Sequence, residues 1–200
     1  MRCARTPRHL RRYRTAIRQY IEAQNGAEVV FPWQGEEPTM LGLDFFRDIV
    51  EIQQRYSERG RRVVNDLQTN GTPLNDEWCA SLKAHDFLIG ISIDGPRELH
   101  DAERVDRRGR PTFDLVMRGV ALLRKHGVRV NTLTVVNRVN AKRPIDVYRF
   151  LRDEIGSTYI QFIPCVEPKG FRSVAPRHWS RNACLSWAPR RPSPATRIRL

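Results

Sequence analysis

A regular alternation of short apolar strands with amphipathic helices is the feature that most restricts how this chain folds. Hydrophobic periodicity predicts helices at 14–23, 43–58, 75–84, 112–126 and 144–154. It predicts strands at 27–33, 62–69, 87–93, 128–136 and 158–163. The third strand (FLIGISI) is apolar on both faces, which is typical of a buried parallel sheet. Two α/β architectures fit this order, namely a partial βα barrel and a doubly wound open sheet.

Polar residues and glycines follow the predicted strands. In both architectures ligands bind at the carboxyl ends of the strands, so these residues predict an active-site rim. They are Gln34 to Thr39, Gln68 to Gly71, Ser92 to Gly95, Thr134 with Asn137, and Pro164 with Cys165. A glycine such as Gly35 lets a ligand approach the main chain, and the carboxylates beside it suit an ammonium group. No segment matches G-x-G-x-x-G or a P-loop, so nucleotide phosphates are not the predicted ligand.

The net charge of +13 is concentrated at the two ends of the chain. Residues 1–18 contain seven Arg, residues 168–200 contain eight Lys or Arg, and neither stretch contains an acidic residue. The middle of the chain is nearly neutral, which does not favour a nucleic-acid-binding face. We therefore expect one domain at 10–167, flanked by basic segments at 1–9 and 168–200 that are disordered or non-native.

The four cysteines are Cys3, Cys79, Cys165 and Cys184, and they contain no C-x-x-C pair. This spacing indicates neither a zinc ribbon nor a disulfide framework, and it favours the reducing cytoplasm. No apolar run approaches the roughly 20 residues of a membrane span, and no apolar segment follows the basic N-terminus as in a secretory signal. We expect a cytoplasmic protein that does not contact a membrane.

Six segments follow one another along the middle of the chain as linked motifs. They are WQGEEPTMLGLDFF, QTNGTPLNDEWC, FLIGISIDGPRELHD, RVDRRGRPTFDLVMRG, NTLTVVN and YIQFIP. Together they resemble the anaerobic sulfatase-maturating enzymes, and the resemblance covers 17–167. It implies a partial (βα) barrel of the radical S-adenosylmethionine (SAM) type, with SAM and a [4Fe-4S] cluster as cofactors. In that family the reduced cluster cleaves SAM to a 5′-deoxyadenosyl radical, which abstracts hydrogen from a Cys or Ser of a sulfatase polypeptide. The product is Cα-formylglycine.

The resemblance also implies roles for cofactor-binding residues. Gly35 and Glu36 lie in the loop that matches the family's Gly-Gly-Glu-Pro, which holds the methionine amino group. Ser92 and Arg104 match cofactor-contacting positions, and an arginine there suits the methionine carboxylate because its fork pairs bidentately. Cys165 falls near a position that packs beside the adenosine.

Two glutamines, Gln34 and Gln68, match positions that line the substrate peptide. Neither the resemblance nor the residue pattern identifies a catalytic residue or a metal ligand in this chain.

The chain departs from the family pattern in two ways. It has no C-x-x-x-C-x-x-C motif for the cluster, and Cys3 is a single thiol among arginines. We therefore expect an inactive fragment without the first strand, its cluster loop or the cysteine-rich C-terminal extension, with basic ends that come from out-of-frame translation. In addition, Glu36 stands where the family has Gly. If that position has a positive φ or lies against the ligand, Glu36 adds backbone strain, bulk and charge, and it weakens cofactor binding without excluding it.

Two alternatives remain open from the sequence. One is a non-catalytic degenerate barrel whose basic arms bind nucleic acid or acidic partners. The other is a different radical SAM enzyme that modifies peptides, because half a barrel does not define the substrate.

Overall fold

Helices and strands alternate along the chain in the computed structural model, which describes residues 7–57 and 61–165. Most strands and helices lie close to the bounds that the periodicity predicts. In chain order they are α1 (Pro7–Glu22), β1 (Glu28–Trp33), α2 (Leu43–Tyr56), β2 (Arg62–Thr69), α3 (Asp76–Ala84), β3 (Leu88–Ser92), α4 (Arg97–His100), α5 (Phe113–Lys125), β4 (Arg129–Val136), α6 (Pro144–Arg149) and β5 (Ile160–Pro164).

Some predicted bounds need correction. The first helix begins at Pro7 rather than at residue 14, and α4 and the 3₁₀ turns Pro38–Leu41 and Asn140–Lys142 were not predicted. The helix predicted at 144–154 is α-helical only to Arg149 and continues as a π-helical turn at Phe150–Glu154. The segments expected to be disordered or non-native lie largely outside the described residues.

The five strands form one sheet in the order β1-β2-β3-β4-β5. The first pair, β1 with β2, is parallel, and so is the last, β4 with β5. Neighbours in the sheet are also neighbours along the chain, without the reversal of strand order that defines a doubly wound sheet. The fold is therefore α/β, with five parallel strands in the half-barrel arrangement. This confirms the partial barrel and excludes the open-sheet architecture.

The described residues divide into two compact units. The first comprises the residues up to Thr69 together with Pro73–Gly90 and Leu122–Arg129, and the second comprises Asn70–Thr72, Ile91–Ala121 and the residues from Val130 onward. The core of the first unit forms where α1 and α2 pack on β1. Its buried side chains are Ile17, Ile21, Val29, Phe31, Ile49 and Ile52.

The second unit packs α4, α5 and α6 around a core that includes Leu99, Phe113, Val116, Val147 and Phe150. Within it, α5 lies directly against the turn that follows β2. A Cβ atom at Gly119 would come within 2.5 Å of the Gly71 carbonyl oxygen. Glycine at this helix position is therefore required by close packing.

Among the helices of the described residues, none has the length and apolar character needed to cross a membrane.

Candidate functional site

The loop after β1 places a carboxylate at the end of β2. Gly35 has a φ of +150°, which side chains rarely adopt, and no other atom lies within 4 Å of the place a Cβ would occupy. The chain then turns into Pro38–Leu41, where Glu37 is the N-cap. Glu37 Oε1 accepts hydrogen bonds from the Thr39 backbone N–H (3.2 Å), the Thr39 hydroxyl and the Thr69 hydroxyl (2.7 Å). These contacts orient the Glu37 carboxylate from both β1 and β2.

The neighbouring Glu36 is exposed and is not strained. Among the described residues Asp86 is the only non-glycine with a positive φ, so the backbone at Glu36 is ordinary. The positive φ that would strain a glutamate is therefore not present here, and only the bulk and charge of Glu36 remain as reasons for weaker binding. The positive φ of the loop lies one residue earlier, at Gly35.

The two predicted substrate glutamines lie at the carboxyl ends of adjacent strands, Gln34 just after β1 and Gln68 among the last residues of β2. Trp33 pairs with Leu67 in the β1–β2 register, so Gln34 and Gln68 come next on the two strands. The Gln68 carboxamide lies over Gly90 of β3. A Cβ atom at Gly90 would be only 2.0 Å from Gln68 Oε1, so only glycine leaves room for the carboxamide in this position.

Asp66, which the sequence did not single out, is partly buried on β2 on the same side as Gln68, since side chains alternate along a strand. Burial raises the pKa of its carboxyl group above the usual value.

In the second unit, Asp94 follows β3 and is 2% exposed. Its carboxylate accepts hydrogen bonds from Arg104 Nε (2.6 Å), Arg104 Nη2 (3.2 Å) and the Val135 backbone N–H of β4 (2.8 Å). Its carbonyl oxygen accepts from Asn140 Nδ2 (3.1 Å), and its own N–H donates to His100 Nδ1 (3.3 Å). Every polar group of Asp94 is therefore engaged, which is what a buried carboxylate requires.

His100 is fully buried at the end of α4. Its Nε2 lies 3.1 Å from the Thr112 hydroxyl, which in turn donates to the Arg104 carbonyl oxygen at 2.9 Å. Burial lowers the pKa of His100 to about 4. The next residue, Asp101, accepts hydrogen bonds from the backbone N–H groups of Thr112 (3.0 Å) and Phe113 (2.9 Å) and so caps α5.

The predicted carboxylate-binding residue, Arg104, is bound to Asp94 on one edge of its guanidinium group, and 26% of its side chain is exposed. No described residue accepts a hydrogen bond from its Nη1. A planar guanidinium held along one edge presents its other edge to an anion in a fixed orientation. Ser92 ends β3 two residues before Asp94 and is half-buried.

The described cysteines do not form a metal site. Cys79 is buried in α3, where burial raises the pKa of its thiol to about 11, and Cys165 follows β5 with its N–H donating to the Val136 carbonyl oxygen at 3.0 Å. Within residues 7–57 and 61–165, no three His, Cys, Asp or Glu side chains lie close enough together to share a metal ion. The described residues therefore do not fit the ligand set of an iron–sulfur cluster.

Sequence reasoning missed the residues that support the predicted ones. Asp94 stands in the polar run after β3, but its pairing with Arg104 depends on α4, which has only one turn. His100 and Asn140 carry no sequence signal apart from their polarity within apolar surroundings. Glu37 lay in the predicted loop, but its side chain was not singled out as a cofactor contact.

Comparisons with known proteins agree with this architecture. The Radical SAM superfamily matches residues 5–151. The chain is 47% identical over 151 residues to a serine-type anaerobic sulfatase-maturating enzyme of Bacteroides thetaiotaomicron and 38% identical over 152 residues to a cysteine-type enzyme of Clostridium novyi. It is also similar to the solved structure "Native anSMEcpe with bound AdoMet and Cp18Cys peptide", with a TM-score of 0.72 and 34% identity.

These alignments cover most of this chain but less of its relatives. The two enzymes are matched over 76% of this chain and over 36% and 40% of their own lengths. The solved structure is matched over 80% of this chain and 45% of its own. The chain therefore spans less than half the length of the proteins it matches.

Proposed function

Because this chain belongs to the radical SAM superfamily and resembles its anaerobic sulfatase maturases, we propose that its strand-end residues bind S-adenosylmethionine. The observation that best supports this proposal is the Glu37 carboxylate, which hydrogen bonds orient at the end of β2. In these enzymes the cofactor supplies radical chemistry that converts a sulfatase Cys or Ser to Cα-formylglycine. The residues of this chain contribute recognition of the cofactor and of a peptide.

The loop at Gly35 to Thr39 is suited to the ammonium group of the methionine moiety. Three hydrogen bonds fix the Glu37 carboxylate before a ligand binds. Binding of an ammonium group therefore does not have to order this side chain, which favours affinity. The open space at Gly35 lets a ligand reach the main chain there. Charge-assisted hydrogen bonds of this kind are about twice as strong as neutral ones.

Arg104 is suited to the carboxylate of the same moiety. Asp94 holds its Nε and Nη2, and Nη1 has no acceptor among the described residues. Asp94 offsets part of the guanidinium charge but fixes its plane, which favours a directed contact with a carboxylate over a diffuse attraction. Ser92 and Cys165, at the ends of β3 and β5, are the further cofactor contacts that the resemblance implies.

Gln34 and Gln68 are suited to a peptide. Carboxamides both donate and accept hydrogen bonds, as the backbone of an extended peptide does. A sulfatase segment carrying the target Cys or Ser is the substrate that the relatives' names support. Nothing in the described residues favours nucleic acid as a partner.

We further propose that this 200-residue chain binds the cofactor without cleaving it. The sequence has no C-x-x-x-C-x-x-C motif, and the described residues do not supply cluster ligands. The test is anaerobic incubation with iron, sulfide, a reductant and S-adenosylmethionine, followed by chromatography for 5′-deoxyadenosine. We expect none, and its formation in proportion to protein would contradict this part of the proposal.

Binding is tested separately by calorimetry with S-adenosylmethionine. Glu37→Gln keeps the shape of the side chain but removes its charge, and we expect about a tenfold loss of affinity. The matched control is Glu51→Gln, which removes an exposed carboxylate of α2 that pairs only with Arg55 in the described structure. A wild-type chain that does not bind, or a Glu37→Gln variant that binds as wild type does, would refute the proposed function.

A further inference from the structure

The buried imidazole of His100 joins the two parts of the chain that fix Arg104. On one side its Nδ1 contacts the backbone N–H of Asp94, whose carboxylate holds the Arg104 side chain. On the other side its Nε2 contacts the Thr112 hydroxyl, which holds the Arg104 carbonyl oxygen. In addition, the backbone N–H of Arg104 donates to the His100 carbonyl oxygen at 2.9 Å.

These contacts determine where the proton of the imidazole lies. The single hydrogen of the Thr112 hydroxyl is donated to the Arg104 carbonyl, so the hydroxyl oxygen accepts from His100 Nε2–H. Nδ1 accepts the Asp94 N–H and so carries no proton. His100 is therefore neutral and protonated on Nε2, in agreement with a pKa that burial lowers to about 4.

The charged groups around the ring do not alter this state. Asp94 and Asp101 favour the charged imidazole, whereas Arg104 and burial oppose it, and burial is the largest effect. The His100 ring also packs against Phe113, with ring centroids 5.9 Å apart, and Arg97 lies over the Phe113 ring. A second proton on Nδ1 would face the Asp94 N–H and break the contact that orients Asp94.

We propose that His100 is a positioning residue for carboxylate recognition, acting through Asp94 and Thr112 to fix both the backbone and the guanidinium of Arg104. This proposal rests on the proposed role of Arg104 toward the methionine carboxylate. The neutral Nε2–H tautomer is the form that acts, because only this form accepts from Asp94 and donates to Thr112. Loss of either contact frees Arg104 to rotate and weakens binding of the carboxylate in particular.

The first experiment compares two ligands by calorimetry, S-adenosylmethionine and its decarboxylated analogue. His100→Asn keeps an acceptor for the Asp94 N–H but cannot reach Thr112, and His100→Gln is the conservative variant that places a donor at the position of Nε2. We expect His100→Asn to bind S-adenosylmethionine about tenfold more weakly and the analogue almost unchanged, with partial rescue in His100→Gln. Equal losses for both ligands would show a merely structural role and overturn the proposal.

The second experiment needs no ligand and so separates this proposal from the proposed function. Nitrogen NMR of the histidine rings reports the tautomer, and hydrogen exchange of Arg104 Nε–H reports how firmly Asp94 holds it. We expect the Nε2–H tautomer at neutral pH, and at least about tenfold faster exchange in His100→Asn. His126→Asn is the control, because His126 contacts Asp76 on the surface. An Nδ1–H tautomer, or unchanged exchange in His100→Asn, would overturn the proposal even if the chain bound no cofactor.

Discussion

Two carboxylates follow strands of the same sheet, and their surroundings differ. Glu37, after β1, is half-buried, and its oriented oxygen meets two hydroxyls and one backbone N–H from nearby positions. Asp94, after β3, is nearly inaccessible and meets an arginine and a backbone N–H of β4. The first arrangement orients a carboxylate oxygen through uncharged donors. The second arrangement uses the charge of Asp94 to hold the Arg104 guanidinium and the Val135 N–H. Position at the end of a strand therefore does not by itself show whether a carboxylate binds a ligand or supports other residues.

The largest expected effect is on stability, from removal of the Asp94 side chain. Asp94→Ala leaves the Val135 N–H without its acceptor and Arg104 without its partner, and loss of one member of a buried pair costs about 3–5 kcal/mol. We expect Glu37→Ala to cost less, about 1–3 kcal/mol, because it removes an acceptor of the buried Thr39 and Thr69 hydroxyls, which are neutral donors.

Urea unfolding of both variants measures this difference. Asp114→Ala is the control, since Asp114 pairs with Arg97 at the surface with 76% of its side chain exposed. Equal losses in Asp94→Ala and Glu37→Ala would remove the distinction between the two carboxylates.

The second effect is a pH dependence that arises in the Asp94 region, from the buried imidazole of His100. The folded-state pKa of His100 is about 4, below the usual 6.5, so the unfolded chain binds the extra proton between these values. Stability from this group is complete above about pH 6.5 and is lost as the pH falls toward 4. The loss is at most about 3 kcal/mol, from about 1.4 kcal/mol for each pKa unit.

Unfolding free energies from about pH 7 to about pH 4 test this effect in the wild type, His100→Gln and His126→Asn. We expect His100→Gln to flatten the curve in this window and His126→Asn to leave it unchanged. A wild-type curve that is already flat across the window would contradict the burial of a neutral imidazole.

The third effect contrasts two glycines that face close neighbours. At Gly119 a Cβ would meet the backbone oxygen of Gly71, which cannot move without shifting the turn, so Gly119→Ala should cost about 1–3 kcal/mol. At Gly90 the neighbour is the tip of the Gln68 side chain, which can rotate away. We therefore expect Gly90→Ala to cost less than Gly119→Ala in thermal unfolding, and to displace the carboxamide proposed to contact the peptide. The reverse order would show that Gln68 is held as rigidly as backbone.

The difference between the two carboxylates also shows which features of the site can be predicted from the sequence and which cannot. The end of β2 follows from the turn signal Asn70-Gly71 directly after it, which is local information. The pairing of Arg104 with Asp94 depends on a four-residue helix too short to show periodicity and on a backbone N–H from β4. Local patterns therefore predict the strands and the rim, whereas the buried support of the rim is tertiary.

The smallest expected effect concerns Glu36, where a positive φ would have meant strain and the structure has none. With strain excluded, only bulk and charge distinguish this residue from the glycine of the family motif. Glu36→Gln removes the charge and keeps the bulk, whereas Glu36→Gly removes both and adds freedom to the unfolded chain, costing about 0.5–1 kcal/mol. We expect both variants to bind S-adenosylmethionine within about threefold of wild type in calorimetry, because an exposed charge beside an ammonium group is largely screened. A gain of tenfold or more in Glu36→Gly alone would show that the bulk of Glu36 obstructs the ligand, and the loop after β1 would then be less adaptable than its exposure indicates.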